Sequence, residues 1–448
     1  MTQGNALKLL IRFTLPSLAS SLLTQSYHLA DSLIVGQLLG KTALAAVGVC
    51  SPLVFLIGSM IIGLNIGVSI TISQYVGKHD YNGIRHVLAN SIYLGLILGF
   101  ITIILGFPLA GTILRLMGTP VGPLEEATSY LQITFLATPF PIFYYMFSNA
   151  FRGIGDSKTP LYCLIISSVC NIGLDYLFIA GFQMGVAGSA YATALAQGLS
   201  VLFAMVMLYC KYPELRLRKH DLRPNLVLFR DITKLALPIA AQHGFNNLGS
   251  VLVQGCVNSF GETVMASYTV ASRLTSFCLM PTETIGSSLS VYTGQNFGAH
   301  KNERIRLGVR ASMQINIVVS ATLALGVLIL GEPLIRAFMD TPTPKYVSVA
   351  FESLVFAAIP GIIYGCTQIY QQVLWGIGKA APSTVGSFLQ LATRLLVAAI
   401  GTFILKELTV VWIAWPISYV AGFLYPYWYY KKKTEFDIPV EHLSEKKR

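Results

Sequence analysis

Asp31, Asp175 and Glu283 are acids set in stretches otherwise almost free of charge, and Arg273 and Arg394 are bases in the same situation. An ionisable group near the centre of a hydrocarbon layer costs about 2.5–3.5 kcal/mol on insertion scales, so each should face a cavity or a partner. Asn171 and Asp175 are four residues apart, which puts an amide and a carboxylate on one helical face. Oxygens clustered in a low-dielectric pocket suit a hard cation such as Na+, and paired carboxyls equally hold a proton. Both uses describe a site that takes up an inorganic cation. The plainer alternative is that Asn171 and Asp175 bond across helices as packing glue, a reading equally open to Asp31 near the end of its helix. No H-E-x-x-H, G-x-S-x-G, C-x-x-C or P-loop spacing is found, so covalent catalysis and a resident cofactor are not expected. Glu283 and Arg273, ten residues apart in one helix, are the only acid and base a membrane-embedded enzyme would have, and they suit packing or substrate contacts better.

The elements that hold these groups are membrane spans. Mean hydropathy is +0.63, with 54% hydrophobic and 11% charged residues, against about 25% charged in ordinary soluble domains. Uncharged runs such as 86–114, 235–261, 311–331 and 353–378 reach or exceed the roughly 20 residues that cross hydrocarbon as a helix. Residues 42–77 are read as one helix, and 176–210 as two, the first ending near Gly181 and the next starting near Gly185. The expected fold is all-α, with 12 transmembrane helices as two six-helix bundles around a central V-shaped cleft. Of the 31 Lys and Arg, Lys41, Arg115, Arg336, Lys345 and Lys406 fall on one face, Arg273 and Arg394 lie within helices, and the rest share the face of both termini. That bias places both termini in the cytoplasm of a cell inner (plasma) membrane protein and makes the net charge of +11 a topology signal. Loops facing anionic headgroups explain it better than nucleic acid, because no stacking aromatics are interleaved. Lys8 and Arg12 before an apolar run are read as opening a retained first helix, not a cleaved signal. The seven cysteines sit in apolar stretches as small hydrophobes.

The chain is also written twice. Gln74, Gly77, His79, Ile84 and Arg85 return half a chain later as Gln295, Gly298, His300, Ile305 and Arg306, and Gly153-Ile154-Gly155 returns as Gly376-Ile377-Gly378. Such a period suits a duplicated bundle whose halves share a site. The expected lobes are 1–222, carrying the cation site and the basic connector, and 223–448, ending in a basic cytoplasmic tail. In register, Asp31 falls on Val253 and Asp175 on Ala398, so the acids belong to the first copy alone.

With these features the chain resembles the multidrug and toxic compound extrusion (MATE) transporters, in detail the bacterial DinF and MepA-like branch. The likeness rests on the 6 + 6 repeat, Pro16 ahead of Asp31, Asn171-x-x-x-Asp175, Gly188-x-Ala190-x-Ala192-Thr193 and the paired Gly-Ile-Gly turns. The resemblance implies a cation site of Asp31, Asn171, Asp175 and Thr193, with Tyr27 beside it and Pro16 letting the first helix bend. These same oxygens would ligate Na+ if sodium, not H+, is the coupling ion. Tyr27, Asn149, Gln242, Asn246, Arg273, Glu283 and Arg394 are expected to meet substrate in the cleft. The implied activity is antiport of small organic, mostly cationic compounds by a monomer in the lipid bilayer, with no nucleic acid and no cofactor beyond H+ or Na+. An oligosaccharide flippase of the same superfamily is the alternative, for which Arg273 and Arg394 would build a cationic cavity. A major facilitator transporter would want a G-x-x-x-D-R-x-G-R-like loop where this chain has Gly77-Lys78-His79-Asp80.

Overall fold

A computed structural model of the chain describes residues 1–338 and 343–434, so the 435–448 stretch assigned to a cytoplasmic tail lies outside it. The described residues fold into 12 helical passes. They are α1 (Ala6–Gly40), α2 (Ala46–Gly77), α3 (Tyr81–Leu116), α4 (Val121–Ala137 continued by Pro139–Ile154), α5 (Lys158–Gly181) and α6 (Gly185–Lys211). The second half gives α7 (Leu226–Asn258), α8 (Glu262–Gly298), α9 (Asn302–Ala337), α10 (Pro344–Gly376), α11 (Ala381–Leu405) and α12 (Leu408–Lys433). Among the described residues, 9 passes are long and apolar enough to cross a membrane by length and composition. The other passes are α4, interrupted at Thr138 before Pro139, and α7 and α8, whose interiors carry Gln242, His243, Asn246, Arg273 and Glu283. Outward faces are apolar in a way water would not tolerate: Leu96, Ile97, Phe100, Ile101, Ile104 and Leu105 are all exposed along α3.

The repeat is visible in the backbone. Gly40 and Gly261 take φ of 82° and 98° between the first and second passes of each half, a conformation that favours glycine. His79 and His300 both adopt φ 56° where the second pass ends, which explains why that motif recurs. The fifth pass of each half closes in a π-helical turn, Tyr176–Gly181 and Ile400–Leu405. Close packing repeats as well. A Cβ on Gly153 would stand 2.6 Å from Ser69 O, and one on Gly376 2.7 Å from Ser290 O, so both glycines let the fourth pass lie directly on the second.

Two compact units result, Leu15–Ala240 and Met1–Thr14 with Ala241–Arg448. The division at 222/223 read from the basic connector is therefore displaced, and the first turns of α1 change sides. Packing is the reason. Leu10 is buried with Leu289, Tyr292, Ile369 and Val373, while Lys301 Nζ donates to Thr2 O at 3.0 Å and Arg304 Nη1 to Gly4 O at 2.9 Å. Leu228, Ile232 and Ala236, from the start of α7, join Leu64, Val68, Ile72 and Phe151 in the core of the other unit. The connector is anchored too: Arg85 Nε donates to the fully buried Asp221 at 3.0 Å, and Arg85 Nη1 to Glu214 O at 2.8 Å. Asn225 then starts α7, its Oδ1 accepting from Val227 N at 2.9 Å.

Candidate functional site

Helices α1, α5 and α6 bring the sequence-derived cation residues together inside one unit. Asp175 and Asn171 are fully buried, and the carboxyls of Asp31 and Asp175 lie within hydrogen-bonding contact of each other. The Asn171 amide satisfies its neighbours when Nδ2 donates to Asp175 Oδ2 at 2.9 Å and Oδ1 accepts from Thr193 Oγ1 and Thr193 N, both at 3.2 Å. Tyr27 OH stands 3.4 Å from Thr193 Oγ1, extending a line of hydroxyls to the amide and on to the carboxylate. Ser189 Oγ donates to Asp31 Oδ1 at 3.4 Å. Asp175 Oδ1 is buried with no hydrogen-bond donor. Buried polar atoms are nearly always satisfied, so this oxygen is the one unmatched acceptor of the cluster and calls for an explanation. The π-helical turn begins at the next residue, Tyr176, and such turns often sit at functional sites.

Ser189 and Tyr130 escaped the sequence reading. Ser189 lies four residues before Thr193 and so shares its helical face, a signal that was legible. Tyr130 of α4 lies in electrostatic range of Asp31 and Tyr27, and nothing in its sequence neighbourhood announces that.

The corresponding place in the second half keeps the scaffold and discards the chemistry. Val253 and Ala398, the register partners of Asp31 and Asp175, are both buried in one apolar cluster with Val411 and Trp412. Where the first half has Asn171, four residues before its acid, the second has Arg394. Its guanidinium stacks 4.1 Å from the Trp415 ring centroid, and its Nε donates to Ser418 Oγ at 3.2 Å. Glu283 makes no ion pair with Arg273 among the described residues; its Oε1 accepts from Tyr364 OH at 2.6 Å, and Gln368 Nε2 donates to that phenol at 2.8 Å. Arg273 is exposed.

The residues assigned to substrate contact are divided between the units. Tyr27 and Asn149 belong to the first, Gln242, Asn246, Arg273, Glu283 and Arg394 to the second. Gln242 is buried and donates from Nε2 to Gln371 Oε1 at 2.6 Å, whereas Asn246 is half-buried and engages Ser250 through its backbone carbonyl. Asn149 lines a cavity with Arg152, a base the charge count had placed outside the helices. Among the described residues no group of three or more His, Cys, Asp or Glu could hold a metal ion, so any sodium ligation here would lean on amide and hydroxyl oxygens beside the two carboxylates.

Comparison with known proteins gives a consistent outcome. The MatE family model matches residues 16–177 and again 238–400, once in each half. The probable multidrug resistance protein YoeA of Bacillus subtilis strain 168 is 29% identical, the match covering 94% of this chain and 92% of that protein. The multidrug export protein MepA of Staphylococcus haemolyticus is 22% identical, covering 99% and 97% respectively. A crystal structure of MATE in the straight conformation superposes with a TM-score of 0.89 at 23% identity, covering 97% of this chain and 98% of that one, which is a likeness of fold.

Proposed function

The chain belongs to the MatE family, in its MepA-like bacterial branch, and on that premise we propose that it is a secondary active multidrug exporter trading organic cations for H+ or Na+. Members of the family are membrane transporters, not enzymes. The observation that carries the coupling role is the pair Asp31 and Asp175 in contact, with Asp175 Oδ1 buried and undonated. One added positive charge completes that arrangement: it relieves the repulsion of two carboxylates and fills the empty acceptor. The two ions make different demands on Asn171. With Nδ2 toward Asp175 the amide suits a proton on the carboxyl pair. Sodium would want the amide rotated so that Oδ1 joins the carboxylates and Thr193 as hard oxygen ligands.

Helix α1 supplies the movement. Pro16 removes one backbone donor, and Ser20, Ser21, Thr24 and Ser26 each donate a hydroxyl to the carbonyl four residues earlier, a pattern that loosens and bends helices. Ion uptake at Asp31, on the same helix, favours the bent form and lets cargo leave outward. Each inward charge contributes about 2.3 kcal/mol per 100 mV of membrane potential, enough to drive export uphill. In this reading the protein works as a monomer in the inner membrane with both termini cytoplasmic. The flippase reading draws no support from Arg394, which is committed to Trp415 and Ser418. Dye efflux from proteoliposomes under imposed proton or sodium gradients, for wild type and Asp31→Asn, tests the proposal: gradient-driven efflux that persists unchanged in the variant overturns the coupling site.

A further inference from the structure

We propose that the cavity around Arg152 binds an oxyanion, the carboxylate or phosphate of an amphiphilic ligand, against α1. The cavity, open on one side, lies wholly in the unit Leu15–Ala240 and takes Ser20 and Thr24 from α1, Tyr144, Tyr145 and Arg152 from α4, and Leu164 from α5. The Arg152 side chain makes no ion pair and no hydrogen bond among the described residues, and its Nε is buried without a partner. The acid nearest in sequence, Asp156, is already spent on Lys211 Nζ at 2.7 Å, Tyr212 OH at 3.0 Å and Thr159. Arg152 is half-buried, its Nε shielded and its terminal nitrogens left open to the cavity, and a planar oxyanion is the group that such an uncompensated fork of donors fits. The phenols of Tyr144 and Tyr145 stand beside it as further donors and as flat apolar surface. The α1 hydroxyls donate to their own backbone, so on that side the cavity offers mainly oxygen atoms and methylenes, suited to the rest of an amphiphile and not to its charge.

This cavity is not part of the shared scaffold. The register partner of Arg152 is Trp375, buried and packed 6.3 Å from the His243 ring. Thr24 precedes Asp31 by two helical turns, about 10 Å along α1, so an occupant at Arg152 presses on the same helix whose other end takes the cation. Any effect of this occupant on transport through α1 rests on the exporter reading above; the binding itself does not.

Isothermal titration of the purified protein with 2-naphthoate, without any ion gradient, is the test. Wild type should bind it at least about tenfold more tightly than 2-naphthamide, the same ring without the charge. Arg152→Gln should lose that preference and Arg152→Lys retain part of it. Equal binding of acid and amide by wild type overturns the proposal even if the variants fail to fold, as does an undiminished preference in a folded Arg152→Gln. Competition with dihexanoylphosphatidylglycerol identifies the source: displacement assigns the site to a lipid phosphate, and its absence assigns it to carboxylate-bearing cargo. Asp31→Asn should leave naphthoate binding intact while efflux coupling is lost, which separates failure of this site from failure of the exporter reading.

Discussion

Replacing Asp175 with Asn changes one atom and removes one charge. The Asn171 amide keeps an oxygen acceptor at 175, so the contact now at 2.9 Å and the Thr193 bonds behind it survive. What disappears is the negative charge whose Oδ1 is buried and undonated. A cation about 4 Å from that charge gains about 4 kcal/mol at an effective dielectric near 20, which corresponds to roughly a thousandfold in ion affinity. The same change relieves a buried, like-charge contact with Asp31, so stability should hold or rise. Ethidium efflux from proteoliposomes under an imposed gradient should therefore fall at least about a hundredfold, while the melting temperature in detergent stays level or increases. Full-rate, gradient-driven efflux by Asp175→Asn would refute the reasoning outright. A parallel fall in melting temperature and efflux would show that the carboxylate had been structural glue instead.

Four further outcomes follow from particular contacts. Ala398→Asp recreates the acid at the register partner of Asp175, but among Val253, Val411 and Trp412, so it should destabilise by about 3 kcal/mol or more in a thermal melt without restoring coupling to Asp175→Asn. Arg85→Ala leaves the buried Asp221 with only the Arg218 N–H and His220 as partners and should cost about 3 kcal/mol. Burial alone would push the Asp221 pKa up, yet the Arg218 N–H, the Arg85 guanidinium and His220 hold it below the ordinary aspartate value. Its contribution is thus complete above that ordinary value and drains away as pH falls through the lower folded-state one. A wild-type melting curve that declines in acid should flatten in Asp221→Asn, and an unchanged pH profile would count against the connector latch. Gly153→Val forces a side chain toward Ser69 O, 2.6 Å from the new Cβ, and should cost about 1–3 kcal/mol or more with loss of the folded yield; a Val variant as stable as wild type would contradict the close α2–α4 packing.

The sequence alone determined the passes and singled out the acids set within them. Long apolar runs can only close their backbone hydrogen bonds as helices in a bilayer, and charge inside them is too costly to be incidental, so Asp31, Asn171 and Asp175 stood out before any contact was known. The duplicated motif marks one local helix stop written twice, and the structure gives His79 and His300 the same positive φ there. Three things were decided only in space. The unit boundary moved from 222/223 to within α1 and α7, since Leu10 and Ile232 follow their packing partners and not the basic connector. Tyr130 entered the acid cluster through α4, a residue that shares no spacing with Asp31 along the chain. Arg152, counted with the loop bases by position, became the lone cation of a cavity because the nearby Asp156 bonds elsewhere. Periodicity reports which residues face inward along one helix; which inward faces meet, and which charges are left unmatched when they do, is settled by the packing of several helices at once.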